Sequence, residues 1–218
     1  MYADHAASWA ALERDYAVSS YDGSGAEADA RFVNRNSRVL LTAPHAVNHH
    51  RDGHPKLADR RTGGLAELLG ELTGASVLSA IGRVPDWRQW AEREDPFARQ
   101  LAQLLPGVDY VLDLHGMTDQ HGRQLCIGTG ANPSGPTMRT ARHLQVLLAP
   151  FAVTLDDPFT AAGGHTVVTR VQSLGGPVAL QLEITAALRD PEEHPELANR
   201  FVPVLASAIS AIADRPAV

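Results

Sequence analysis

The chain has 218 residues, 44% hydrophobic and 20% charged, a length and mixture suited to one α/β domain with a substantial core. Its net charge is −6 and its arginines form no basic run, so neither a nucleic acid nor an anionic membrane surface is an expected partner. No stretch of 18 apolar residues occurs, so no span of a bilayer is expected.

The first twelve residues lack a basic stretch followed by an apolar core and do not read as a secretory signal. A single cysteine, Cys126, excludes an internal disulfide and a Cys-rich metal site. Together these point to a cytoplasmic protein. Residues 1–30 read as an N-terminal extension and loop, the stretch 19–29 (SSYDGSGAEAD) being rich in Ser, Gly and Asp.

The first apolar run, 37–43 (SRVLLTA), predicts a buried strand with His45 directly beyond it. Leu65, Leu68, Leu69 and Leu72 recur at helical spacing before Gly74. A second strand covers 77–81, a helix 96–105, and a third strand 109–114 leads into His115 and Gly116. A short strand is expected over 125–127 and a helix over 137–148. Residues 152–155 and 165–172 read as extended, 178–184 (VALQLEI) as the last strong strand, and 195–213 as a closing helix. Strands alternating with helices predict an α/β fold, a single domain with a mainly parallel or mixed sheet and helices on both faces.

Ligands of open α/β sheets bind beyond the carboxyl ends of the strands. His45, His115 and Glu183 lie at or near the ends of three different predicted strands. Two imidazoles and a carboxylate at one edge match what zinc needs, with one position left for water. Asp113 lies two residues before His115, on the same side of a continuing strand. There it can take the second N–H of a metal-bound imidazole, or be a solvated strand-end carboxylate. His49, His50 and His54 fall in a polar loop and read as exposed; Asp59 precedes a helix, where an Asp also serves as a cap.

Other chemistries find less support. His45 and His49 are four apart, but no Glu follows His45 as in the helical two-His motif. The glycines of 128–133 lack a Gly-Lys-Ser/Thr ending, and no Gly-x-Ser-x-Gly elbow occurs. Trp87 and Trp90 read as packing or pocket-wall residues, and Cys126 as an inert buried thiol.

Pro44-His45, Ala58-Asp59 with Thr62-Gly63, Asp113-Leu114-His115-Gly116, Gly164-His165 with Arg170, and Gln181-Leu182-Glu183 follow in this order. The pattern resembles the N-formylglutamate amidohydrolase family, related in fold to zinc carboxypeptidases and aspartoacylase, over roughly residues 38–191. The resemblance implies a phosphorylase/hydrolase-like fold and one zinc ion held by His45, His115 and Asp59. It implies Glu183 as general base and acid. His165, Arg170 and Arg83 would hold an acidic substrate or polarise its carbonyl. The carboxypeptidase relatives carry a Glu three residues after the first His, where this chain has Asn48; Asp52 is the substitute for Asp59. The implied activity is zinc-dependent cleavage of the amide bond of a small acidic N-acyl amino acid. The alternatives are a peptidase acting on a short peptide and a non-catalytic binding protein on the same fold.

Overall fold

The computed structural model describes residues 4–24, 26–82, 95–119 and 122–214. Its centre is a seven-stranded mixed sheet. The strands are β1 (Ala30–Val33), β2 (Val39–Ala43), β5 (Ser76–Ala80), β6 (Tyr110–Met117), β7 (Leu125–Gly128), β8 (Val153–Leu155) and β9 (Val178–Thr185), in the order β1-β5-β2-β6-β9-β7-β8. The four inner strands β5, β2, β6 and β9 run parallel. Every residue of β2, β5 and β9 is buried, as expected of strands covered on both faces. β1 and β7 join antiparallel, on β5 and β9 respectively, and β8 runs parallel to β7.

Helices α2 (Thr62–Thr73), α3 (Pro96–Leu104), α4 (Gly135–Leu147) and α5 (Val167–Ser173) pack on this sheet; α1 (His5–Ala17) and α6 (Pro195–Ala213) pack against α2. By length and composition α6 is the one helix among the described residues apolar enough to cross a membrane; here its buried side packs on α1, α2 and α4.

The N-terminal residues belong to the core, contrary to the expected extension. Trp9 is fully buried and its indole N–H donates to Arg61 O at 2.9 Å. Tyr16 is buried, its hydroxyl 2.8 Å from Ser79 Oγ on β5 and 3.1 Å from Glu67 Oε1. Glu13, also buried, accepts from the backbone N–H of Arg61 and of Gly64 at 2.7 Å each. It thus satisfies donors at the start of α2, where Arg61 supplies no side-chain cap. A Cβ at Gly63 would stand 2.6 Å from the Tyr16 ring, and one at Gly64 2.7 Å from Glu13. The Gly63-Gly64 pair is what lets α1 approach so closely. Trp9→Ala is expected to cost about 3–5 kcal/mol, a fall in Tm on the order of 10 °C for a chain of this size. A thermal melt within 2–3 °C of wild type would contradict this packing role.

Two further local readings change. Residues 167–173 form α5, not a strand. Thr166 caps it by accepting from Thr169 N at 3.2 Å, and Val167, Val168 and Val171 bury one helical face. Their β-branched character favours strand only weakly, and the cap and burial prevail. Residues 49–56 form a hairpin, β3 (His49–Arg51) with β4 (His54–Lys56), around Asp52-Gly53, both at positive φ. This is the conformation a two-residue Asp-Gly turn prefers.

Candidate metal centre

In chain order β2 is followed by β5 on one side and then by β6 on the other. The sheet therefore reverses its direction of growth between β2 and β6, and the crevice beyond such a switch point is where ligands bind. His45 follows the end of β2, and His115 lies on β6 directly opposite Glu183 of β9. The loop between the hairpin and α2 carries Asp59 into the same place, its backbone N–H donating to His45 O at 2.8 Å.

Asp59 Oδ2 lies 3.4 Å from His45 Nδ1 and 3.2 Å from His115 Nδ1. The two imidazoles meet edge to face with centroids 4.7 Å apart. One ligand atom from each of His45, Asp59 and His115 falls within 4.8 Å of the others. His115 Nε2 is held by Asp113 Oδ2 at 2.8 Å, and Asp113 Oδ1 accepts from Thr42 Oγ1 at 2.5 Å. A ligating imidazole is oriented by such a carboxylate on its other nitrogen. The donor set and the chain behind it thus fit a divalent cation of the zinc type.

The charges of the metal-free site follow from the same geometry. Burial disfavours a cation at His115, yet the carboxylates of Asp113, Asp59 and Glu183 overcome it and hold its pKa well above the usual value. Burial lowers His45 to about 4, the His115 charge adding to the effect and Asp59 opposing it. Asp59 is itself buried, which favours the neutral acid, but hydrogen bonds from His115 and His45 keep it far below the ordinary carboxylate range. Glu183, 7% exposed, is pushed up to about 7, mainly by burial. Its Oε1 accepts from Gln181 Nε2 at 2.8 Å, which fixes one side of the carboxylate.

A cavity of about 300 Å³ opens on this group, walled by His45, His115, Glu183, Gln181, His165 and Arg51. Asp59 also borders a larger open cavity of about 870 Å³ with Lys56, Asp119 and Arg189. Of the two, the smaller cavity is the candidate reaction site because it joins both imidazoles to Glu183.

The remaining sequence expectations are placed as follows. His165 lines the cavity; Arg170, on α5, is not among its walls. Arg83, Trp87 and Trp90 lie outside the described residues. Asp52 occupies the hairpin turn, is exposed, and contributes no atom to the His45–Asp59–His115 group. Asp59 does not cap α2 with its side chain; its backbone carbonyl accepts from Thr62 instead. Asp113 is fully buried, not solvated. Cys126 is buried as expected.

His49 differs most from its reading as an exposed loop histidine. It is 3% exposed and stacks on His45, centroids 4.1 Å apart and planes within 10°. Burial, followed by the His45 charge, lowers its pKa to about 3, so it stays neutral. Arg51 was not singled out by sequence, and Gln181 stood only as part of the Gln181-Leu182-Glu183 motif, with no role of its own. The signal for Arg51 was the Asp-Gly pair after it, which makes 49–56 a structured hairpin; Gln181 alternates with Glu183 on β9.

The molecule is thus a single α/β domain whose mixed sheet presents a His–Asp–His group, suited to a metal, beside a buried carboxylate. Comparison with solved structures shows a similar fold in two hydrolases and in a third protein. A bacteriophage poly-γ-glutamate hydrolase is 18% identical, with 87% of this chain and 92% of that chain covered and a TM-score of 0.56. N-formylglutamate amidohydrolase from Ralstonia eutropha is 13% identical, with 86% and 97% covered and a TM-score of 0.59. A protein designated YndL, in a zinc-free apo form, is 14% identical, with 85% and 92% covered and a TM-score of 0.51. No family model and no curated protein sequence matches the chain.

Proposed function

We propose that this protein is a zinc-dependent hydrolase that cleaves the amide bond of a small N-acyl amino acid. The observation that carries the reading is the convergence of His45, Asp59 and His115 on one point, with Glu183 in the adjoining cavity wall. The shared fold with an N-formylglutamate amidohydrolase and a poly-γ-glutamate hydrolase supports amide cleavage. The neighbour solved in a zinc-free form supports zinc. A cavity of about 300 Å³ is large enough for a small ligand.

In this reading His45, His115 and Asp59 would hold the cation, which when bound would supply Lewis acidity toward water and a substrate carbonyl. To hold the cation His115 would need Nδ1 free of its proton, released to solvent, while Asp113 on Nε2 keeps the ring in orientation. Glu183 takes a proton from the attacking water at its carboxylate and delivers it to the leaving nitrogen. Gln181 keeps the Glu183 carboxylate turned to the cavity.

The test is metal analysis of the purified protein together with turnover of N-formyl-L-glutamate, N-acetyl-L-alanine and a γ-glutamyl oligomer. About one zinc per chain and release of a free amino acid from an N-acyl compound are expected. Release only from the oligomer would move the substrate class to peptides. Absence of bound zinc at saturating metal would remove the basis of the proposal.

A further inference from the structure

Arg51 stands at the end of β3, in the wall of the cavity that holds His45, His115 and Glu183. Its Nε is buried and has no hydrogen-bond partner, and the guanidinium makes no hydrogen bond or ion pair among the described residues. Arg189, a largely buried arginine, shows what a structural guanidinium does. Its Nε donates to Ile184 O at 2.8 Å, one terminal nitrogen donates to Met117 O at 3.3 Å and the other to Arg60 O. Arg51 has the same five donors and spends none of them on the described residues. Glu183, the carboxylate in the same cavity wall, accepts from Gln181.

An arginine partly removed from water and left without an anion is costly, and the cost is recovered when a ligand brings one. The planar fork matches a carboxylate in two parallel hydrogen bonds, which gives orientation as well as affinity. The base of the side chain is set by a hairpin whose register pairs Arg51 with His54 across the Asp52-Gly53 turn. The guanidinium is therefore presented from a paired strand, and little ordering is needed on binding. His165 reaches the same cavity beside it after Gly163-Gly164.

We infer that Arg51 holds the free carboxylate of the substrate and so selects N-acyl amino acids over neutral amides. The inference rests on the proposed hydrolase reading for the word substrate, but the binding site it describes can be tested without turnover. It gives Arg51 the positioning role for which the sequence had offered Arg170 and Arg83.

The probes are N-acetyl-L-alanine and its carboxyl-capped counterpart N-acetyl-L-alaninamide, titrated calorimetrically into zinc-loaded and metal-free protein. Wild type is expected to favour the carboxylate by roughly 10- to 100-fold, the range of a charge-assisted hydrogen-bond pair. Arg51→Met abolishes this preference by weakening the carboxylate only, and Arg51→Lys retains part of it because the charge remains but the fork does not. The melting temperatures of the variants check that they fold; if Arg51→Met does not, Arg51→Gln and Arg51→Lys carry the comparison. Where turnover is measurable, the loss appears in KM with kcat little changed. A wild type without preference, or a preference that survives in the Met or Gln variant, overturns the inference. So does a loss confined to kcat, which would make Arg51 a stabiliser of the reacting carbonyl. Absence of turnover together with an Arg51-dependent preference overturns the hydrolase reading alone.

Discussion

Glu183→Gln is expected to lower turnover by roughly 10²–10⁴ while bound metal stays at the wild-type level. The residue lies in the cavity wall but contributes no atom to the His45–Asp59–His115 group, so removing its charge leaves the ligand set intact. The amide that replaces it keeps the shape and loses the base. Paired measurements of kcat and of zinc content decide the matter. Full activity, or loss of metal in step with activity, would take the proton-transfer role away from Glu183.

The same substitution has an opposite effect on stability. In the metal-free protein burial is the main cause that raises Glu183 from 4.5 to about 7; Asp59 and Asp113 add to it, and His115 and Arg189 oppose it. Below pH 4.5 the group is protonated whether the chain is folded or not, and it carries no penalty. As pH rises toward 7 the unfolded chain ionises freely while the folded chain resists, so stability is lost across that window. Above about pH 7 the penalty is complete, at most about 3 kcal/mol for a shift of this size. Metal-free Glu183→Gln is therefore expected to gain stability over wild type at pH 8 and little at pH 4. Denaturant melts at the two pH values check this, and a difference that does not change with pH would contradict it.

The second large effect is expected from His115→Ala, which should reduce bound zinc from about one per chain to none and remove turnover with it. His115 is both a proposed ligand and the partner of Asp113 and Asp59 in the metal-free protein. Removing it leaves the fully buried Asp113 with Thr42 as its hydrogen-bond partner among the described residues, so the metal-free variant should also be less stable by about 3–5 kcal/mol. Asp113→Asn separates the two roles. It keeps the imidazole but weakens its orientation, and metal affinity should fall by about 10–100-fold without being lost. Competition with a zinc chelator reads both variants. Stoichiometric zinc in His115→Ala would show that the ion is held elsewhere.

The strands that carry His45, His115 and Glu183 were legible because inner parallel strands are buried on both faces and read as unbroken apolar runs. Each candidate residue interrupts or ends such a run: Thr42-Ala43-Pro44-His45, Leu112-Asp113-Leu114-His115, Leu180-Gln181-Leu182-Glu183. Asp113 was suspected from the two-residue period alone, and its place behind His115 follows from it. Helices α2, α4 and α6 were visible from spacing and from their Gly and Pro punctuation. Where periodicity was short the reading failed. The seven residues of α5 hold three valines, and only the Thr166 cap and their burial against the sheet decide for helix. Residues 1–30 read as an extension and loop because the role of α1, closing over α2, lies in contacts with residues about 50 positions away.

What the chain's own pattern determined is therefore the sheet and the strand ends, since burial of a parallel strand is written into consecutive residues. The tertiary structure decided the rest of the centre. Asp59, His49 and Arg51 sit on a loop and a hairpin whose direction no local period encodes. Only the docking of that segment over the switch point between β2 and β6 puts the Asp59 carboxylate between two imidazoles, stacks His49 on His45, and turns Arg51 into the cavity.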